Sequence, residues 1–274
     1  FGVVLYHYSL HFKVDNIDYN IFINYLIENR EFAPKFVWLF WAISGFVFTN
    51  IYLNKNTNFK NFFVARFARL YPLHFVTLII VAFLQFVSLT LFNHTQENYS
   101  NDFYHFFLHL FFASDWGFQN EWSYNTPVWS VSIEIPIYFL FFFSIIFLKK
   151  FKYFYSITAI IFFYYLFYDL IHFAKDNNWI ETTKIQNLAI FNFLTCIFYF
   201  FLGSTLYFFY EKFYYLSKYL LSISFLSILL CLIIKNVYIF NDLPITKFLP
   251  TTVLLLSSLI IFFSCIDSVF KSIF

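Results

Sequence analysis

Residues Val128–Leu148 read VWSVSIEIPIYFLFFFSIIFL. As a helix this stretch reaches across a bilayer core, for which ~20 predominantly apolar residues suffice. It carries one carboxylate, Glu134, and a charge near a span centre costs ~2.5–3.5 kcal/mol on insertion scales. Such a group must be protonated, paired or turned toward a wet cavity. Thr126 and Pro127, just before the run, form a helix start: a cap followed by a first-turn proline. Ser130, Glu134 and Tyr138 are spaced by four and share one face. Pro136 has no N–H to offer the carbonyl of Ser132, which leaves that acceptor open to a side chain, water or ligand.

The rest of the chain fits a membrane setting. Of 274 residues, 61% are hydrophobic, 28% aromatic and 12% charged, with 48 Phe and 22 Tyr. Soluble domains are about a quarter charged, and this chain lacks the polar cover a water-facing surface needs. Its hydrophobicity excludes disorder. Three cysteines, Cys196, Cys231 and Cys265, each inside an apolar run, make no disulfide scaffold. A net charge of +2 leaves no footprint for nucleic acid. The sequence opens at Phe1 in mid-hydrophobic run and contains no Met. A fragment cut at both ends is expected, forming one transmembrane domain over residues 1–274.

The fold class expected is all-α, a polytopic transmembrane helical bundle. Apolar runs fall at Phe1–Phe12, Phe36–Leu53, Phe62–Phe92, Val128–Leu148, Tyr153–Phe173, Leu188–Tyr210, Tyr219–Ile239 and Thr251–Ile266. A further run, Phe103–Ser114, is short for a span and reads as interfacial or re-entrant. With that reading Lys55, Lys60, Arg66, Arg69, Lys149, Lys150, Lys152, Lys212, Lys218 and Lys271 share one side in short connections. Lys13, Arg30, Lys35, Lys175, Lys184, Lys235 and Lys247 lie on the other. The positive-inside rule makes the first side cytoplasmic. The expectation is about eight spans, the first partial, with the amino terminus inside.

Three more places hold polar groups in apolar surroundings. His7 and His11 are four apart in LYHYSLH. An imidazole there suits general base work, or a hydrogen bond between helices. Two histidines alone make no metal site, and none is expected. Arg66 and Arg69 are three apart in VARFARLYP and can clamp a phosphate or pyrophosphate bidentately, or serve as snorkelling anchors. Ser44 and Gly45 form a notch in the aromatic stretch WLFWAISGF, where packing of another helix is the plainer reading. His105 and His109 read as ordinary interfacial residues.

Together these segments resemble acyltransferase family 3, the polytopic bacterial enzymes that O-acylate cell-surface sugars and related acceptors. His7 is similar to that family's catalytic histidine, and Phe40–Phe46 to its aromatic Ser-Gly-Phe stretch. Arg66, Arg69 and Pro72 fit its arginine pair followed by proline. Trp129, Ser130, Ser132, Glu134 and Tyr138 fit its Trp-Ser-x-x-x-Glu stretch. The match in motifs covers about half the chain. The family's arginine eleven residues before the histidine, and its closing Ser-Tyr segment, would fall outside residues 1–274.

The resemblance implies an integral protein of the bacterial cytoplasmic (inner) membrane. It would transfer an acyl group, acetyl by expectation, from cytoplasmic acyl-CoA to a glycan or lipid-linked sugar hydroxyl. Acyl-CoA is then a co-substrate and no cofactor is permanently bound. His7 is implied as base, with Glu134 orienting it or holding the acceptor. Arg66 and Arg69 would hold the phosphates, and the thioester would pass Ser44 and Gly45. Trp129, Ser130, Ser132 and Tyr138 would line the pocket. The alternative is a secondary transporter or exporter of a small polar or lipid-linked solute, which also needs ionisable groups in broken helices. Such proteins interrupt helices in two related halves, whereas Pro72 and Pro136 both lie in the first half here.

Overall fold

A computed structural model of the chain describes Val4 and residues 33–92, 100–176, 185–240 and 249–271. Its helices are α1 (Ala33–Tyr52), α2 (Phe59–Phe92), α3 (Phe103–Leu110), α4 (Trp129–Asp176), α5 (Ile185–Phe213), α6 (Ser217–Phe240) and α7 (Leu249–Lys271). Short 3-10 turns at Thr126–Val128 and Tyr214–Leu216 lead into α4 and α6. Among the described residues there is no strand, so the protein is all-helical there. Among the described residues four helical stretches are long and apolar enough to cross a membrane: Pro34–Tyr52, Phe59–Leu91, Thr126–Lys152 and Ala189–Ile234. Thr251–Ile266 is apolar but shorter. The count of about eight spans stays a reading of the sequence, and Phe1–Phe12 lies outside the described residues apart from Val4.

Local chemistry sets the helix ends. Asn58 caps α2: its Oδ1 accepts the Asn61 N–H at 2.8 Å and its carbonyl the Phe62 N–H at 3.0 Å. Asp102 caps α3, accepting the His105 N–H at 2.9 Å. That helix has 8 residues, about 12 Å at ~1.5 Å rise per residue, too short for a core of ~30 Å. The start before α4 differs by one residue from the sequence reading. Asn125, not Thr126, takes the N-cap position, without a side-chain cap bond, and Pro127 occupies the first turn. α4 runs 48 residues, far beyond one crossing, and leaves helical geometry at Phe151 (φ −121°, ψ 26°), between Lys150 and Lys152.

The chain divides into two compact units, one of Phe1–Thr49 with Tyr199–Phe274 and one of Asn50–Phe198. In the first, α1 and the second part of α5 meet backbone to backbone. A Cβ on Gly45 would sit 1.8 Å from the Phe200 carbonyl oxygen, and one on Gly203 1.8 Å from that of Ala42. Small residues allow that approach, and aromatics close around it. Trp38 stacks on Tyr199 at 5.2 Å, and Phe48 meets Phe200 edge-on at 5.5 Å. Helices α6 and α7 run antiparallel: Ser258 donates to Ser227 at 2.9 Å, and Leu220 packs with Ile261 and Cys265.

The second unit packs α2 against α4 through phenylalanines, Phe63 on Phe139 at 4.1 Å and Phe62 on Phe142 at 5.3 Å. Tyr52 closes on Phe62 at 4.8 Å. The segment between α3 and α4 forms a strap against this unit. Asn125 donates to Thr77 on α2 at 3.2 Å, and His74 on α2 donates its Nε2–H to the His109 carbonyl at 2.7 Å.

Candidate active site

The second unit gathers several of the polar groups singled out in the sequence. Arg66 lies two turns inside α2, half-buried. Its guanidinium sits over the Tyr52 ring at 5.4 Å and donates to the Tyr52 hydroxyl at 2.9 Å. Arg69, one turn on, is exposed. The pair therefore splits into an inner and an outer guanidinium. On α4, Glu134 is 1% exposed and Tyr138 4%, with Ser130 half-buried on the same face. The Glu134 carboxylate, the Cys196 thiol of α5 and the Arg66 guanidinium all lie within electrostatic range of the Tyr138 hydroxyl. Arg66, Glu134 and Tyr138 are thus brought together inside an apolar bundle, where a carboxylate persists only among polar or cationic company.

Ser132, on the opposite side of α4, holds the strap. Its hydroxyl donates to the Phe112 carbonyl at 2.6 Å and accepts the Asp115 N–H at 3.1 Å. The carbonyl that Pro136 leaves open is taken by the Trp116 indole N–H at 2.9 Å. Trp129 is half-buried. In the other unit, Gly45 faces the α5 backbone. Its carbonyl accepts the Thr49 hydroxyl at 2.8 Å, and Ser44 beside it is half-buried. His7 and His11 lie outside the described residues.

The strap and α3 carry groups that sequence reading missed. Asp115 is 1% exposed. One carboxylate oxygen accepts from the Asn192 amide at 3.2 Å, and the other has no partner among the described residues. Burial pushes its pKa up to about 7, with the Asn192 bond opposing. His109, read as interfacial, is in fact 1% exposed. Burial, then the facing His74, brings it down to about 4. Ser123 donates to Gln119 at 2.9 Å, so its oxygen takes the His109 Nε2–H at 3.1 Å. His105 is half-buried and pairs with the exposed Asp102 at 2.6 Å.

Three left-handed residues bend the strap: Phe112 (φ 56°), Gly117 (φ 85°) and Tyr124 (φ 37°). At the two aromatic positions this costs on the order of 1–3 kcal/mol each. The buried Phe112 ring, stacked on His74 at 4.1 Å, offsets part of it.

A family model described as an acyltransferase domain matches residues 1–271. No curated protein and no solved structure matches the chain.

Proposed function

The chain belongs to the acyltransferase 3 family, and from that premise we propose that this membrane acyltransferase O-acylates a cell-surface glycan or lipid-linked sugar, with acyl-CoA, by expectation acetyl-CoA, as donor. The observation that carries this reading is the gathering of Arg66, Glu134 and Tyr138 within one apolar unit. His7 acts as general base on the acceptor hydroxyl. The freed oxygen attacks the thioester carbonyl, the tetrahedral intermediate collapses, and the CoA thiolate leaves and takes up the proton. Glu134 orients His7 or holds the acceptor, and Tyr138 borders the same space. Arg66 and Arg69 hold phosphates of the donor; the Tyr52 contacts fix the fork of Arg66 for bidentate binding. Trp129 and Ser130 lie along the acceptor side, whereas Ser132 serves the strap and Gly45 is closed against the α5 backbone. The bacterial inner membrane is its place.

The test is release of free CoA from acetyl-CoA by membranes carrying the wild-type chain or a variant. His7→Ala is expected to lower turnover ~10²–10⁴-fold, the usual share of a general base. Near-normal turnover by an inserted His7→Ala protein overturns the base assignment. Unchanged acyl-CoA affinity in Arg69→Ala overturns the phosphate role of that residue.

A further inference from the structure

The connection between α1 and α2, together with the stretch of α4 ending at Lys149, encloses a pocket of about 410 Å³ in the second unit. Lys55 and Lys149 line it, with Asn56, Thr57 and Asn58 as neutral polar neighbours and no carboxylate. Lys149 donates to the Lys55 carbonyl at 3.1 Å, which holds one ammonium across the pocket and leaves it two further N–H donors. The carbonyl groups of Asn58 are spent on the first turn of α2, so its NH2 group is left to donate. That first turn adds the positive end of a 34-residue helix. Tyr52 also lines the pocket, and the same tyrosine holds Arg66. The anion-attracting pocket and the inner arginine therefore share a wall.

We propose that this pocket seats the terminal 3′-phosphate of the donor's nucleotide, apart from the pyrophosphate assigned to Arg66 and Arg69. The inference rests on the acyl-CoA reading above. A phosphomonoester dianion matches two ammoniums and a set of neutral donors without a competing acid. A phospholipid headgroup would offer related chemistry, and the experiment separates the two sources.

CoA and dephospho-CoA differ only in that phosphate. Both are titrated by calorimetry into the full chain in phosphatidylcholine nanodiscs. The wild type is expected to bind CoA about tenfold more tightly than dephospho-CoA, the worth of one charge-assisted contact set. The Lys55→Gln/Lys149→Gln double variant is expected to bind the two alike. Lys60→Gln, exposed at the same end but outside the pocket, keeps the wild-type preference. A double variant with the full preference, or a wild type with none, overturns the assignment. Should the double variant fail to fold, Lys149→Gln alone, which keeps an N–H for the Lys55 carbonyl, must show a partial loss; no loss overturns it. Loss of the wild-type preference in phosphatidylglycerol discs makes the pocket a lipid headgroup site and also overturns it. Absence of any CoA binding by the wild type is a different result, since it removes the acyl-CoA reading itself.

Discussion

Tyr52 is buried, yet it offers its hydroxyl to a guanidinium that also rests on its ring. Removing only the hydroxyl separates those two supports. Tyr52→Phe keeps the ring and drops the hydrogen bond, so KM for acetyl-CoA should rise ~3–10-fold with kcat little changed, given ~1 kcal/mol per bond. A fall in kcat at unchanged KM would instead place Arg66 at the reacting centre. Asp115 and His109 titrate in opposite senses. Asp115 rises from ~3.9 unfolded to about 7 folded, so its contribution is whole below ~4 and is lost as pH rises through about 7. His109 falls from ~6.5 unfolded to about 4 folded, so its contribution is whole above ~6.5 and is lost as pH drops toward about 4. Between about pH 4 and about pH 6.5 the two slopes oppose and the wild-type melting temperature should change little, whereas Asp115→Asn, which leaves His109 unopposed, should melt at rising temperature across that range. A variant that tracks the wild type across the range would show that Asp115 is not the titrating group. Glu134 and Arg66 were legible in the sequence because each is costly inside an apolar run. Asp115 was not, because a carboxylate in a connecting loop is ordinarily solvated, and only the strap's docking on Ser132 buries it. Asn192 sits in an apolar run and carried a readable signal of the same kind as Glu134.

The crossing of α1 with α5 depends on two missing side chains. A methyl on Gly45 would meet a backbone carbonyl at 1.8 Å, and backbone cannot swing aside as a flexible side chain would. Gly45→Ala should cost on the order of 3 kcal/mol or more, seen as a lower melting temperature in detergent, and Gly203→Ala should do the same. Ordinary stability in either variant would mean that the helices do not approach this closely. The notch was legible as a packing feature, since small residues among large aromatics have few other uses; its partner at Phe200–Gly203 was not, because pairing of distant helices leaves no local mark. The strap is a second case. The open acceptor above Pro136 could be read from the proline alone, but its donor, Trp116, lies across a bend made by left-handed residues. Trp116→Phe leaves the buried Ser132 carbonyl without a partner, a penalty of ~1–3 kcal/mol. Trp116→Phe should melt earlier, and an unchanged melting temperature would argue against that bond.

Orientation in the membrane is set by where the cations sit along the whole chain, not by any one helix. The connection holding Lys55 and Asn56 and the kink flanked by Lys150 and Lys152 lie on the cation-rich side of the sequence. The strap between α3 and α4 contains no lysine or arginine at all. Retention of Lys and Arg on the cytoplasmic face is then expected to put the Lys55–Lys149 pocket on the cytoplasmic side and the strap on the opposite one. The three native cysteines are buried, so they give little background to a membrane-impermeant maleimide. Asn56 and Asn120 are both exposed, the first before α2 in the chain and the second after α2 and α3. In intact cells Asn120→Cys should label at once, and Asn56→Cys only after the membrane is permeabilised. The reverse pattern would turn the molecule over and separate the lysine pocket from its donor. Labelling of both in intact cells would mean that the stretches between them do not cross an odd number of times, which removes the topology on which the two-sided acyl transfer depends.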